Sequence, residues 1–232
     1  MNEELNTETY LIISSNKLEV YLFDTIKLEN LYSNEIIIKN SSLDFISLNN
    51  FLDENILKIE SLIGRFVKNI FIIIENEKLF KTQIGIKKKN YNKILNYDDV
   101  KSLVIETKEL FQKNYKDQKI MHIIINNYLI NGKNFEYFKK EIQAEDLSLI
   151  INFISIPESL SSPLEKVLEK YQIKINKYLD REYVYSFFGD QTIKFPVMIY
   201  RILNGSNSNE VQLIPKIDKN KGFFEKFFQL FS

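Results

Sequence analysis

Apolar residues in this chain of 232 residues fall into short runs of strand length, which alternate with stretches where apolar residues recur at helical spacing. The longest run, Ile70–Ile74, is long enough for a buried strand. It is far shorter than the about 18 residues that a membrane-spanning helix needs. Because alternating strands and helices are typical of sheets covered by helices, the sequence predicts an α/β or α+β fold.

The first part of the chain predicts a hairpin, a third strand, a helix and a buried strand, in that order. The two hairpin strands meet at Ser14-Ser15-Asn16, a turn-forming tripeptide. The helix is predicted because apolar residues recur at helical spacing from Phe51 onward. The predicted elements are Tyr10–Ile13, Leu18–Phe23, Glu35–Lys39, a helix from about Asn50 to Phe66, and Asn69–Ile74.

A second unit is predicted to begin near Glu75. Its Asp98 can cap a helix, and Asn131-Gly132 suits a tight turn because both residue types tolerate positive φ. Ser162-Pro163-Leu164-Glu165 predicts a helix start, in which the serine caps and the glutamate reaches back to the cap. The predicted elements are strands Gln83–Lys87, Met121–Ile130, Leu147–Ile156 and Gln172–Tyr178, helices Asp98–Gln112 and from Ser162, and a last apolar segment Phe195–Leu203.

Residue types that carry catalytic or metal chemistry are scarce. The chain has no cysteine, which excludes disulfides and thiolate zinc sites. Its single histidine, His122, lies inside an apolar strand, which favours a packed or strand-edge role over catalysis. Neither a Walker loop nor a GxGxxG or GxSxG motif occurs. We therefore expect no catalytic residue, no metal site and no bound cofactor.

The charge of the chain is balanced, with 31 Lys and Arg residues against 31 Asp and Glu residues. No global field therefore attracts it to nucleic acid. The run Lys87-Lys88-Lys89 has no interleaved aromatic residues and is typical of a solvated loop, so no nucleic-acid partner is expected. The polar start MNEELNTETY does not fit a signal peptide, and we expect a cytoplasmic protein.

Residues 221–232, KGFFEKFFQLFS, predict an amphipathic helix, because five phenylalanines fall on one broad face at helical spacing. Such a helix, after the flexible linker that the polar residues 204–220 predict, is typical of a segment that binds membrane lipids at the interface. The alternative is a terminal helix that packs on the core or in a partner's groove. The predicted membrane-binding residues are Phe223, Phe224, Lys226, Phe227, Phe228, Leu230 and Phe231.

The strength of this anchor can be bounded. Full burial of one phenylalanine is worth roughly 1.5–3 kcal/mol. Partial burial and the cost of folding the segment leave about 4–7 kcal/mol, or a dissociation constant of roughly 1 mM to 10 μM. Stable attachment therefore needs several copies on one assembly, so the tail predicts self-association.

The order of these elements resembles the FtsA family, actin-like proteins that tie the FtsZ ring to the bacterial inner membrane. The resemblance runs from about residue 67 to 179. Val67-Lys68-Asn69-Ile70-Phe71-Ile72-Ile73-Ile74 is similar to the strand that enters the family's inserted 1C subdomain, and residues 98–112 to its helix. Met121-His122-Ile123-Ile124 and Asn127-Tyr128-Leu129-Ile130 are similar to its next strand and hairpin. Residues 149–154 and the helix from Ser162 resemble the return into subdomain IA.

The resemblance implies a partial actin-like (ribonuclease H-like) fold. Residues 1–74 and 148–203 would form an IA-type subdomain that begins with the family's first hairpin. Residues 75–147 would form the inserted 1C-like subdomain, a strand-helix-strand-strand unit. The linker 204–220 and the membrane-targeting helix 221–232 would follow.

The chain also departs from the family. Ile13-Ser14-Ser15-Asn16 stands where the family has a phosphate-binding turn with an acid and a glycine. The second actin-like half, with its own phosphate loop and the FtsZ-tail site, has no counterpart after Tyr178, and Phe195–Leu203 resembles the helix that closes the family fold. The resemblance thus implies a reduced form that does not bind ATP and in which direct FtsZ binding stays open.

The predicted function is therefore that of a non-enzymatic cell division adaptor, which tethers or recruits divisome components at the membrane. Its expected partners are lipids, further copies of itself and divisome proteins, with FtsZ as one candidate. Its expected location is peripheral, on the cytoplasmic face of the inner membrane at the division site. The alternatives are an actin-like nucleotide-binding ATPase and a membrane scaffold of a pilus-assembly-type system.

Overall fold

The structure is a computed structural model that describes residues 6–38, 45–189 and 192–212, and these residues form two compact units. Unit 1 combines the described residues up to Leu79 with Glu158–Ser206. Unit 2 combines Phe80–Pro157 with the described residues from Asn207 onward. Unit 2 is thus an insertion in unit 1, and the chain returns to unit 2 after its last helix.

Nine strands and five helices alternate along the described residues. The strands are β1 Thr7–Ile13, β2 Lys17–Asp24, β3 Glu29–Ile37, β4 Asn69–Ile74, β5 Phe80–Ile94, β6 Gln118–Ile130, β7 Lys133–Phe135, β8 Gln143–Pro157 and β9 Lys174–Asp180. The helices are α1 Phe45–Ile63, α2 Tyr97–Asn114, α3 Glu158–Glu169, α4 Arg181–Phe188 and α5 Phe195–Leu203.

Unit 1 is built on a five-stranded sheet in the order β3-β2-β1-β4-β9. β1 pairs antiparallel with β2 and parallel with β4, and β4 pairs parallel with β9. Residues 9–13 of β1 and 72–74 of β4 are buried without alternation. Such continuous burial is the mark of strands covered on both faces, so these central strands form the core of unit 1.

Helix α1 is set against β3 by one buried amide, that of Asn55, whose side chain is fully inaccessible. Its Oδ1 accepts hydrogen bonds from Tyr32 Oη at 2.6 Å and from Asn34 Nδ2 at 3.0 Å. Its Nδ2 donates to the carbonyl oxygen of Phe51 at 2.6 Å. Since a buried polar group must be hydrogen-bonded, this set of contacts fixes the register of α1 on the strand.

Unit 2 is a four-stranded antiparallel sheet in the order β5-β8-β6-β7, with α2 packed on one face. The rings of Phe111 and Phe153 stack with centroids 4.7 Å apart in its core. Asn96 caps α2 in a capping box: its Oδ1 accepts from the Asp99 N–H at 3.1 Å, and its own N–H donates to Asp99 Oδ2 at 3.0 Å.

The structure confirms the predicted mixed α/β fold and the partial actin-like architecture. Unit 1 presents the expected hairpin, third strand, helix and central parallel strand, and after the inserted unit comes a helix and a second parallel strand. Strand β4 has the predicted bounds, and α5 covers the predicted last apolar segment.

Several predicted element starts were wrong. The helix expected to open at Ser162 begins at Glu158, and Pro163 lies inside it. The helical apolar period starts at Leu160, two residues before the capping sequence, and continues at Leu164 inside it. β3 begins at Glu29 instead of residue 35, α1 spans 45–63 instead of about 50–66, and α2 is capped by Asn96 instead of Asp98. Helix α4 was not predicted.

The division into units also differs from the predicted domain limits. The limit expected between residues 147 and 148 falls inside β8, whose fifteen residues all belong to unit 2. Within the expected linker 204–220, residues 207–212 belong to unit 2. Residues 213–220 and the expected amphipathic helix 221–232 lie outside the described residues. In the described parts of the chain, no helix is long and apolar enough to cross a membrane.

Candidate functional site

The carboxyl ends of three parallel strands meet at one edge of the unit 1 sheet. Ser14 follows β1, Glu75 follows β4, and Asp180 and Arg181 stand at the junction of β9 and α4. In open α/β sheets ligands bind outside the carboxyl ends of parallel strands. A ligand site of unit 1 is therefore expected at this edge.

The Arg181 guanidinium joins the three strand ends. Its Nη1 donates to Ser14 Oγ at 2.5 Å and to Glu75 Oε2 at 3.0 Å. Its Nη2 lies 3.5 Å from Oε2 of Glu19, which projects from β2. Ser14 Oγ in turn donates to Glu75 Oε2 at 2.9 Å. We call Ser14, Lys17, Glu19, Glu35, Glu75 and Arg181 the edge cluster.

The rest of the edge cluster is centred on Glu19, which is buried. Its Oε1 accepts from Lys17 Nζ at 3.1 Å and from Tyr21 Oη at 2.9 Å. Lys17 Nζ also lies 2.6 Å from Glu35 Oε2, and this hydrogen bond raises the pKa of Lys17. Burial, with the neighbouring Glu19 carboxylate, raises the pKa of the Tyr21 hydroxyl above its ordinary value.

Local sequence explains why Arg181 points into this edge. Asp180 caps α4, its Oδ1 accepting from the Glu182 N–H at 3.1 Å. Arg181 is therefore the first residue of the helix, directly at the strand end. Its guanidinium carbon lies 5.6 Å from the Tyr185 ring centroid and 5.4 Å from that of Phe195, and those two rings stack at 4.3 Å. Both cation–π contacts restrict the arginine to one direction.

The chemistry of the edge cluster does not suit a phosphate. Two cations and three carboxylates give it a formal charge of −1, and the charged side chains bond one another. A phosphate would need donors that are now engaged, next to carboxylates that repel it. The turn between β1 and β2 has two residues, and the Ser14 N–H closes it by donating to the Lys17 carbonyl oxygen at 2.9 Å. Among the described residues there is no group of three or more potential metal ligands.

A cavity of about 330 Å³ lies at the other edge of the same sheet, at the amino ends of β1 and β4. Arg65, Phe66 and Lys68 line it together with Glu8. Burial raises the pKa of Glu8, against the opposing effect of the hydrogen bond that Tyr10 Oη donates to it. This concave site is thus separate from the edge cluster.

Unit 2 holds a second contact between titratable side chains, that of His122 and Glu210. His122 lies on β6 and is buried, as the sequence predicted for a packed histidine. Nδ1 of His122 and Oε1 of Glu210 lie 2.8 Å apart and share a hydrogen bond. Both side chains are completely inaccessible to solvent.

Glu210 belongs to residues 207–212, which we call the strap. The N–H of Ile125 donates to the carbonyl oxygen of Asn209 at 2.9 Å, and the N–H of Val211 donates to that of Ile123 at 2.8 Å. Ile124 and Glu210 therefore stand opposite each other as an antiparallel pair. The prediction missed this contact because Asn, Ser and Gly around the strap indicated only a flexible linker.

The predicted membrane-binding residues, from Phe223 to Phe231, lie outside the described part of the chain. What the structure shows is the segment that precedes them: the strap is the last described stretch, and it is fixed to unit 2.

Comparisons with known proteins identify no family. No family model matches the chain, and no curated protein matches it. Among solved structures, it is similar to the cytoplasmic domain of EpsL, an inner-membrane component of the type II secretion system of Vibrio cholerae. That match has a TM-score of 0.42 and 8% identity, and covers 77% of this chain and 59% of the other.

Two further structures are similar to a comparable degree. One is a Bacteroides thetaiotaomicron protein with an actin-like ATPase fold and unknown function, with TM-score 0.36, 14% identity and coverage of 79% of this chain and 56% of that one. The other is the PilM–PilN type IV pilus biogenesis complex, with TM-score 0.49, 9% identity and coverage of 78% and 49%. The chain thus spans roughly half to three fifths of these proteins. All three TM-scores are below 0.5, so these similarities carry no functional conclusion for this chain.

Proposed function

We propose that this chain is a non-enzymatic adaptor, attached to the cytoplasmic face of the membrane by its C-terminal segment and acting in cell division as FtsA-like proteins do. The observation that carries the proposal is the way the body meets the tail. The strap is fixed on β6 by two backbone hydrogen bonds and by the His122–Glu210 contact. Only eight residues, 213–220, then separate it from KGFFEKFFQLFS.

This short connection limits the distance between body and membrane. Eight residues span at most about 26–29 Å when fully extended. A tail bound at the lipid interface would therefore hold unit 2 close to the bilayer. Adaptors need such proximity, because they present a protein surface at a fixed height above the membrane.

The edge cluster supports an adaptor that does not use nucleotide. Arg181, Glu19 and Glu75 occupy the carboxyl ends of the strands and form ion pairs with one another. We expect no heat of ATP binding in isothermal titration, with or without Mg²⁺, beside an actin-like ATPase as positive control. Measurable ATP affinity would replace this proposal by the ATPase alternative.

The membrane anchor is tested by vesicle flotation of the full chain. Phe224→Asp with Phe228→Asp places two charges on the predicted apolar face and should abolish flotation. Gln229→Asp, on the predicted polar face, is the matched control and should float like the wild type, with a small loss on anionic vesicles. Equal flotation of the double Phe variant and the wild type would refute the anchor.

The biological system is tested by location in the cell. A fluorescent fusion of the full chain should coincide with the FtsZ ring and lose that position with the Phe224→Asp, Phe228→Asp change. Direct binding to FtsZ is tested separately by cosedimentation, since a divisome partner other than FtsZ could recruit the chain. A position at pilus or secretion assemblies instead of midcell would favour the scaffold alternative.

A further inference from the structure

The strap lies along the β6 edge at Ile123–Ile125, and we call this binding surface the groove. It contacts two neighbouring side chains of the strap. Val211 enters the core of unit 2 and is 5% exposed, while Glu210 meets the buried His122. Asn209 Nδ2 adds a hydrogen bond to the carbonyl oxygen of Glu136 at 2.8 Å. Backbone pairing, an apolar pocket and a buried cationic or donor group are the elements of β-strand addition, in which an extended peptide joins a sheet edge.

The sheet leaves room for such a peptide. β7 pairs with Tyr128–Ile130 of β6, and no named strand of the described residues covers the neighbouring part of that edge. The strap occupies the edge at Ile123–Ile125. The site therefore fits an extended segment that carries an acidic residue followed by a small aliphatic one.

We infer that this groove is a peptide-binding site whose second occupant is the strap of another copy of the chain, an inference that rests on the proposed membrane attachment and on the self-association that the tail sequence predicts. The identical segment of another copy offers the same Asn209-Glu210-Val211 sequence, which the structure shows to fit. Exchange of an identical element between copies is a general route to oligomers.

The connection before the strap can act as the hinge. The segment Asn204-Gly205-Ser206 links α5 to the strap, and Gly205 has φ +78°, a conformation that strains any residue with a side chain. An opened strap gives up the His122–Glu210 contact and the burial of Val211, so the open form persists only when another strap fills the groove. Membrane attachment raises the local concentration of copies and so favours exchange.

The absence of cysteine makes exchange directly testable. Ile124 and Glu210 form a non-hydrogen-bonded antiparallel pair, whose Cα atoms are generally close enough for a disulfide. Full chains with Ile124→Cys and, separately, with Glu210→Cys are mixed on vesicles and oxidised. We expect a mixed disulfide dimer. Replacing Ile124→Cys by Lys133→Cys, on the exposed surface of β7, is the control that should give none.

A chain with both Ile124→Cys and Glu210→Cys shows whether the altered strap still docks. If its internal disulfide forms while the mixed sample gives no mixed dimer, the exchange is refuted. If the internal disulfide does not form, the hinge variants decide. Gly205→Ala strains the closed hinge and should raise the ratio of dimer to monomer about five- to thirty-fold in analytical ultracentrifugation. Ser206→Ala is the control, and equal ratios in the two variants would overturn the inference.

Flotation of the same samples separates this inference from the proposed function. Chains that float without forming mixed dimers would preserve the membrane adaptor and remove the exchange. Chains that form mixed dimers at high concentration but do not float would preserve the exchange and remove the membrane anchor.

Discussion

The edge cluster of unit 1 and the His122–Glu210 contact of unit 2 both join distant parts of the chain through titratable side chains, but in opposite ways. In the edge cluster one guanidinium is shared among oxygen atoms of three side chains, and Glu75 remains 57% exposed. His122 and Glu210 form one short contact, with both side chains at 0% exposure.

This difference decides where each contact is vulnerable. In a shared, partly solvated cluster, water and the remaining partners compensate for a lost group, so each member contributes little. In a pair without solvent access, the group that remains after a mutation keeps its desolvation cost but has lost its partner. The whole cost therefore appears as lost stability. Beside its backbone hydrogen bonds, the segment that carries the tail thus relies on one contact between titratable side chains, whereas the strand ends of unit 1 rely on several.

The largest expected effect is that of Glu210→Ala. It leaves His122 buried without its partner and should cost about 3–5 kcal/mol in the free energy that holds the strap. The amide of Val211 in the strap donates to β6, and the amide of Ile125 in β6 donates to the strap. Hydrogen exchange at these two amides measures the loss. The double change His122→Leu, Glu210→Leu should restore most of it. Protection factors unchanged in Glu210→Ala would show that the pair does not hold the strap.

Arg181→Met should have the next largest effect. It removes the donor shared by Ser14, Glu19 and Glu75, and we expect a loss of about 1–3 kcal/mol in the free energy of unfolding of unit 1. Urea unfolding of the full chain, followed by hydrogen exchange in β1 and β4, measures it. Arg181→Lys keeps the charge but not the forked guanidinium, so its free energy of unfolding should lie between those of the wild type and Arg181→Met. A loss as large as that of Glu210→Ala would remove the contrast between the two regions.

The central elements of the fold were predictable because they are apolar and periodic. The residues of β4 and α5 show this best, since burial on a sheet or helix face dictates their composition. Only the last third of the edge strand β3 was predicted, because Asn30, Ser33 and Asn34 interrupt its apolar pattern. Helix α4 was missed because it is only eight residues long and starts directly at a strand end.

The two contacts through titratable side chains could not be predicted from local patterns. Arg181 meets Ser14 across 167 positions of sequence, and Glu210 meets His122 across 88. Only the sheet topology brings such residues together. The residue types at the first hairpin did indicate that a phosphate-binding turn is absent, but they did not indicate what occupies its place.

Tyr21→Phe tests the Glu19 side of the edge cluster, through one hydroxyl and through pH. Loss of the hydrogen bond to Glu19 should cost about 1 kcal/mol. The raised pKa of Tyr21 means that folding favours its neutral form. This contribution is complete below the ordinary tyrosine pKa of about 10 and is lost as pH rises above it. Wild-type unit 1 should therefore lose stability above pH 10 more steeply than the variant. Tyr137→Phe, an exposed position in unit 2, should leave that dependence unchanged.

Glu35→Gln should have the smallest effect and gives the sharpest contrast with Glu210. Its carboxylate lies 2.6 Å from Lys17 Nζ, but its side chain is 60% exposed, so the expected loss is about 0–1 kcal/mol. Salt at 1 M shortens the screening length to about 3 Å and should erase that loss in urea unfolding. The cost of Glu210→Ala should persist in the same salt, because ions cannot enter a contact without solvent access. If salt reduced both costs alike, the strap contact would be open to solvent and could not fix the tail to unit 2.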